Sequence, residues 1–187
     1  SAYAVTIVGN YAYVADDAAG LAIIDITDPT NPGVPVYRDT NGNTYEVTVS
    51  ANYAYLADGE AGLAIIDISN PASPGTPVYR DTNGQAIGID VSGNYAYIAD
   101  RCGGLAIIDI SNPANPGTPV TKNIAATSPE NLGCSSSIAR VTRVSIIGNY
   151  AYVAAWKEGL AIIDVSDPKN PEKMAPPPRP FGLIGWS

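Results

Sequence analysis

The chain has 187 residues, with 10 Lys and Arg against 18 Asp and Glu, a formal charge of −8 and no histidine. Without an imidazole there is no Ser-His-Asp triad, no Cys-His pair and no histidine metal site, since each needs a group that titrates near neutrality. The acidic balance argues against nucleic acid as a partner, because neutralising phosphates takes clustered Lys and Arg.

Hydrophobic residues make up 45% of the chain, enough for one substantial core or one repeat array. Twelve Tyr against one Phe, with 18 Gly and 16 Pro, describe short strands, frequent turns and little helix. No apolar run reaches the length needed to span a bilayer. A start at Ser1, without an initiator Met or a basic-then-apolar leader, suits a mature secreted protein, an excised fragment or a trimmed chain.

The hexapeptide Gly-Leu-Ala-Ile-Ile-Asp occurs at 20–25, 62–67, 104–109 and 159–164. The motif Asn-Tyr-Ala-Tyr keeps the same register, opening at Asn10, Asn52, Asn94 and Asn149. The first three copies are spaced by 42 residues, and the fourth follows after 55, which marks an insertion near 122–138. A period of that length, built from alternating and apolar runs between Gly, Asn and Pro, is one four-stranded propeller blade. The predicted fold is therefore all-β, a β-propeller of four blades. The domain boundaries follow as repeats at about 2–43, 44–85, 86–138 and 139–176, with a separate tail at 177–187.

Within the first unit, strand A is predicted over 2–8. The second unit reads in full. Strand A, 44–49, alternates, a tight turn follows at 50–52, and strand B, 53–58, puts Tyr53, Tyr55 and Ala57 on one face. Strand C, 62–68, is apolar on both faces, as a strand between neighbouring sheets should be. Two prolines and an asparagine make 69–75 a turn. Strand D, 77–81, is an outer edge that tolerates Pro and charge. The aspartates ending strand C (Asp25, Asp67, Asp109, Asp164) are expected to hold turn backbone rather than do chemistry, as are Asp28, Asn70, Asn112 and Asp167 before their prolines.

These residues carry a resemblance. The pattern Tyr-Ala-Tyr-x-Ala-Asp, a short loop, then Gly-Leu-Ala-Ile-Ile-Asp and spaced prolines closely resembles the LVIVD repeat of bacterial and archaeal secreted and cell-surface propellers. It covers all four copies and implies a β-propeller outside the cell, but no particular activity. Four units leave three architectures: a closed four-bladed ring, part of a larger ring, or an open array completed by another chain. The open array would expose two apolar blade faces.

Positions that differ between copies are the candidate sites, because the scaffold does not dictate them. The B-to-C loops are expected to gather Asp16, Asp58, Asp100, Glu60, Arg101 and Trp156 on one rim, a candidate site for a cation, a sugar or a partner. Strand A lines the axis, so Glu46, Asp90 and Arg143 are candidates for a central channel, either as a salt-bridged plug or as a small acidic site. Cys102, in a B-to-C loop, and Cys134, in the insertion, lie on the same face of a propeller, and the extracellular setting makes a disulfide the natural reading. The tail runs from a polyproline spacer into Phe181, Leu183, Ile184 and Trp186, an apolar segment expected to dock on this chain or on a neighbour.

The functional expectation is a non-enzymatic extracellular or cell-surface scaffold for protein interaction or adhesion. The first alternative is a subunit of an extracellular filament that assembles through the tail or the blade faces, and the second is a glycan-binding or glycoside-hydrolysing propeller. No metal site or cofactor is expected beyond a rim-bound cation such as calcium. The expected partners are a protein, the chain itself or a glycan, with no nucleic acid and no membrane span.

Overall fold

A computed structural model describes residues 1–124, 141–155 and 159–174. The described residues form four antiparallel sheets, each made of four strands in sequence order. The first is β1 (Ala4–Val8), β2 (Tyr11–Ala15), β3 (Leu21–Asp25) and β4 (Val36–Arg38). The second is β5 (Glu46–Ser50), β6 (Tyr53–Ala57), β7 (Leu63–Asp67) and β8 (Val78–Arg80). The third is β9 (Gly88–Ser92), β10 (Tyr95–Ala99), β11 (Leu105–Asp109) and β12 (Val120–Lys122). The fourth is β13 (Val141–Ile147), β14 (Tyr150–Ala155), β15 (Gly159–Asp164) and β16 (Glu172–Lys173). The predicted four blades of four strands are present, with most strand ends trimmed by a residue or two and β5 one residue longer at its end, where Ser50 continues the strand.

Local chemistry explains the trimming. Strand B stops at Ala57 rather than 58, because the Asp58 N–H leaves the ladder to donate to the Gly62 carbonyl, and Asp16 and Asp100 turn the chain in the same way onto Gly20 and Gly104. Strand C begins at Leu63, because Gly62 turns the chain with φ of 77°, and a Cβ there would lie 2.5 Å from the Arg80 carbonyl of the adjacent strand. At the far end of each strand C the aspartate caps a turn: Asp67 Oδ1 accepts the Ser69 N–H at 2.8 Å, and Asp25, Asp109 and Asp164 do the same for Thr27, Ser111 and Ser166. Those bonds hold each of these carboxyls below its ordinary pKa. The carboxylates or amides at 28, 70, 112 and 167 cap the next turn in the same way.

Every blade has two apolar faces, because side chains alternate along each strand. One carries Val5, Ala12, Val14, Ala22 and Ile24 in blade one and is called here the valine face. The other carries Tyr13, Ala15, Leu21 and Ile23 and is called the tyrosine face. Three separate cores form where the tyrosine face of one blade meets the valine face of the next. Tyr13, Leu21 and Ile23 pack on Val47, Leu56 and Ile66. Tyr55, Leu63 and Ile65 pack on Ile89, Ile98 and Ile108. Tyr97, Leu105 and Ile107 pack on Val144, Val153 and Ile163.

Polar bonds repeat across the same seams. Thr6 Oγ1 donates to the Val47 carbonyl at 2.8 Å, and Asp90 Oδ2 accepts the Ile146 N–H at 2.7 Å. Strand-like bridges join Asp17 to Thr44, Gly59 to Ala86 and Arg101 to Val141. The inner strands therefore run β1 beside β5, β5 beside β9 and β9 beside β13.

The fourth seam is not made. Among the described residues no comparable contact joins β13 to β1. The valine face of blade one and the tyrosine face of blade four are left open: Val5 is 59%, Ile7 64% and Leu160 63% exposed, whereas Leu21, Leu63 and Leu105, the counterparts of Leu160, are at 0%. The four blades form an open arc.

Candidate functional site

Two of the carboxylates expected on the rim, Asp58 and Asp100, turn inward. Asp58 is fully buried; its Oδ1 accepts the hydroxyls of Thr40 and Thr44, both at 2.7 Å, and its Oδ2 accepts the Gly42 N–H at 3.0 Å. Asp100 is equally buried, but only Thr82 Oγ1 donates to it, at 2.7 Å, and its Oδ2 has no donor. Two donors are missing: the Thr44 hydroxyl, because Ala86 stands in its place, and the N–H of Gly84, the counterpart of Gly42, which does not reach Oδ2 where Asn83 turns the chain with φ of 65°. Burial with a single donor pushes the Asp100 carboxyl up to about 7, and the neighbouring Asp81 charge acts in the same direction.

Asp16, at the same position in blade one, pairs with the terminal amine of Ser1 at 3.2 Å. The three carboxylates thus serve three local roles instead of facing one shared rim site. No group of three or more His, Cys, Asp or Glu able to hold a metal ion occurs among the described residues. Glu60 remains exposed on a shallow depression with Asp81, Asn83, Gly84 and Gln85. Arg101 lies 6.0 Å over the Tyr45 ring, which itself packs on Tyr3 with centroids 5.1 Å apart. Trp156 lies outside the described residues.

On the axis the structure brings Glu46, Asp90 and Arg143 together. Glu46 Oε1 meets Arg143 Nη1 at 2.5 Å across the arc, and Oε2 accepts the Ile89 N–H at 2.9 Å. Asp90 spends one oxygen on Ile146 and the other on the Val91 N–H at 2.8 Å. Burial raises the Glu46 pKa, against the pull of the Ile89 bond and the Arg143 charge. Both carboxylates are tied to strand backbone, so the cluster braces adjacent inner strands. Arg143 is largely exposed, so the ion pair is screened by water. Arg143→Ala is expected to shift the urea midpoint by less than about 1 kcal/mol of stability, and 1 M salt is expected to reduce that difference further.

Cys134 and the insertion around it, and Phe181, Leu183, Ile184 and Trp186 of the tail, lie outside the described residues. No cysteine among the described residues is free.

The feature with the clearest capacity to bind is one that residue types could not single out. The open tyrosine face of blade four holds a cleft of about 360 Å³ lined by Arg143, Val144, Ser145, Tyr152, Ala154 and Leu160. The opposite end of the arc presents Val5 and Ile7. Leu160 and Val5 occupy the same repeat positions as fully buried residues, so only the count of blades against the closure of the ring could have pointed to them.

Comparison with known proteins agrees with this architecture. The model of the LVIVD repeat matches residues 1–38, 41–78, 83–120 and 140–175. No curated protein matches the chain. Among solved structures the chain is similar to the computationally designed Ika4 protein, with a TM-score of 0.61 and 13% identity over 87% of this chain and 89% of that one. It is also similar to AztD from Citrobacter koseri, with a TM-score of 0.59 and 14% identity over 93% of this chain and 46% of that one. A third is the N-terminal domain of Nup159, with a TM-score of 0.56 and 12% identity over 92% of this chain and 47% of that one. The chain spans about half the length of the last two, which are propellers, and at these identities the likeness shows the fold alone. With four repeat matches that cover most of its length, the chain belongs to the LVIVD-repeat family.

Proposed function

We propose that the chain is a non-enzymatic propeller scaffold that works outside the cell by binding protein through the ends of its arc. The observation that carries this reading is the pair of apolar blade faces left without a partner, with Leu160 63% and Val5 59% exposed where their counterparts are buried. Apolar surface of that kind on a soluble protein is a site of association. The acidic groups fit a scaffold, because Asp58, Glu46 and Asp90 are each engaged by hydroxyl or backbone donors of the blades themselves. A propeller as a protein-binding platform has a parallel among the solved structures, where Nup159 occurs in a complex with dbp5 and gle1. The extracellular setting rests on the family resemblance, and a Cys102–Cys134 disulfide is part of the same proposal, since such a bond persists in an oxidising compartment.

A photo-crosslinking residue in place of Leu160, in cells that make the protein, tests the reading. Covalent adducts to protein are expected from position 160 and not from the exposed turn residue Thr30. Equal labelling at both positions, or none at either, would overturn it.

A further inference from the structure

We infer that a second copy of this chain covers both open faces, so that two arcs close head to tail into one ring of about eight blades. The inference rests on the reading that the arc ends are the interaction surface, and adds what binds there. The occupant is specified by the chain itself, because its three internal seams show what each face accepts. A tyrosine face takes a valine face: Leu21, Leu63 and Leu105 are sealed in this way by the blade that follows. Among the described residues, Leu160, on the same face of blade four, has no such blade against it, and the valine face of blade one, with Val5 at its inner edge, is the one valine face without a tyrosine face against it.

The polar groups match as well. Thr6 of β1 and Asp90 of β9 occupy the strand-A position that bonds the backbone of the next inner strand, Thr6 to the Val47 carbonyl and Asp90 to the Ile146 N–H. In β13 that position is Ser145, which lines the open cleft. By the pattern of Thr6, its hydroxyl donates to the Val5 carbonyl of the second copy. The valine face of blade one carries no charge, so it places nothing against Arg143 at the cleft.

Closure by two copies follows from the arc. Each sheet is complete within its own repeat, so a new seam needs only face-to-face packing and no exchange of strands. Four blades overlay about half of AztD and of the Nup159 domain, both propellers. Two such arcs meet at both ends, and the two seams are equivalent by twofold symmetry, which stops growth at a pair.

The test is the native mass of the 187-residue chain across a wide range of concentration, by light scattering behind size exclusion. A single species of twice the 19.4 kDa chain mass is expected. Leu160→Glu and Val5→Lys, both at exposed positions and verified as folded by circular dichroism, are each expected to give single chains. Mixed, they are expected to return the two-chain species, because one seam is then wild type and the other places Glu against Lys. A wild-type single chain, a ladder of masses that grows with concentration, or a mixture that stays monomeric would overturn the inference. Crosslinks from position 160 to a different protein, with the chain itself monomeric, would leave the scaffold reading standing and remove the second copy from it.

Discussion

Leu63→Ala is expected to lower the free energy of unfolding by about 3 kcal/mol, and Leu160→Ala, made in a Val5→Lys chain, by less than about 1 kcal/mol. The two leucines stand in the same hexapeptide at the same register, next to the same Ala-Ile-Ile-Asp. Leu63 is wholly buried between blades two and three, so its truncation loses both the transfer of the side chain from water and the contacts around the hole it leaves. Leu160 is 63% exposed and has little to lose. The Val5→Lys background keeps a second copy from contributing to the result. Urea unfolding of the four chains measures it, and equal losses at the two positions would mean that the fourth seam is closed.

A second pair of variants should move in opposite directions. Asp58→Ala strands the hydroxyls of Thr40 and Thr44 and the Gly42 N–H in a dry site, at a cost of about 3 kcal/mol. Asp100→Asn is expected to stabilise the protein at pH 8 by about 2 kcal/mol, because it removes a buried charge whose Oδ2 has no donor and keeps an oxygen for Thr82. The pH dependence fixes the sign. A carboxyl raised from 3.8 to about 7 by burial holds its proton more tightly in the folded chain than in the unfolded one. Its contribution to stability is present below about pH 4 and is lost as the pH rises through about 7. The advantage of Asp100→Asn should therefore be large at pH 8, smaller at pH 5 and absent near pH 4. Thermal unfolding at those three values measures it, and an advantage that does not change with pH would show that Asp100 is not the titrating group.

The contrast between these two aspartates also marks how far the sequence could be read. The period, the four-stranded units and the capping carboxylates at Asp25, Asp67, Asp109 and Asp164 were legible, because each depends on neighbours within a few residues. Asp58 and Asp100 were read as rim residues since both stand at the start of a loop. What buries them is the segment Thr-Asn-Gly, present at 40–42 and again at 82–84, which folds over the end of strand B and brings in Thr40 and Thr82 from outside the hairpin. The repeated threonine was the available signal. The axial group was legible as a set, since Glu46, Asp90 and Arg143 break the repeat at positions that face the centre. Leu160 was legible only through the blade count, since an open array was expected to expose two apolar blade faces, whereas nothing in its own hexapeptide separates it from Leu63.

The central claim is that four blades leave one seam open, and thiol reactivity tests it most directly. Cysteine placed at 160, at 63 and at 21, each in the Val5→Lys chain, is exposed to a thiol reagent under native conditions. The open arc predicts fast reaction at Leu160→Cys, and at Leu63→Cys and Leu21→Cys reaction only as fast as the protein unfolds. Equally slow reaction at all three positions would mean that the ring closes on its own four blades, and would contradict the account.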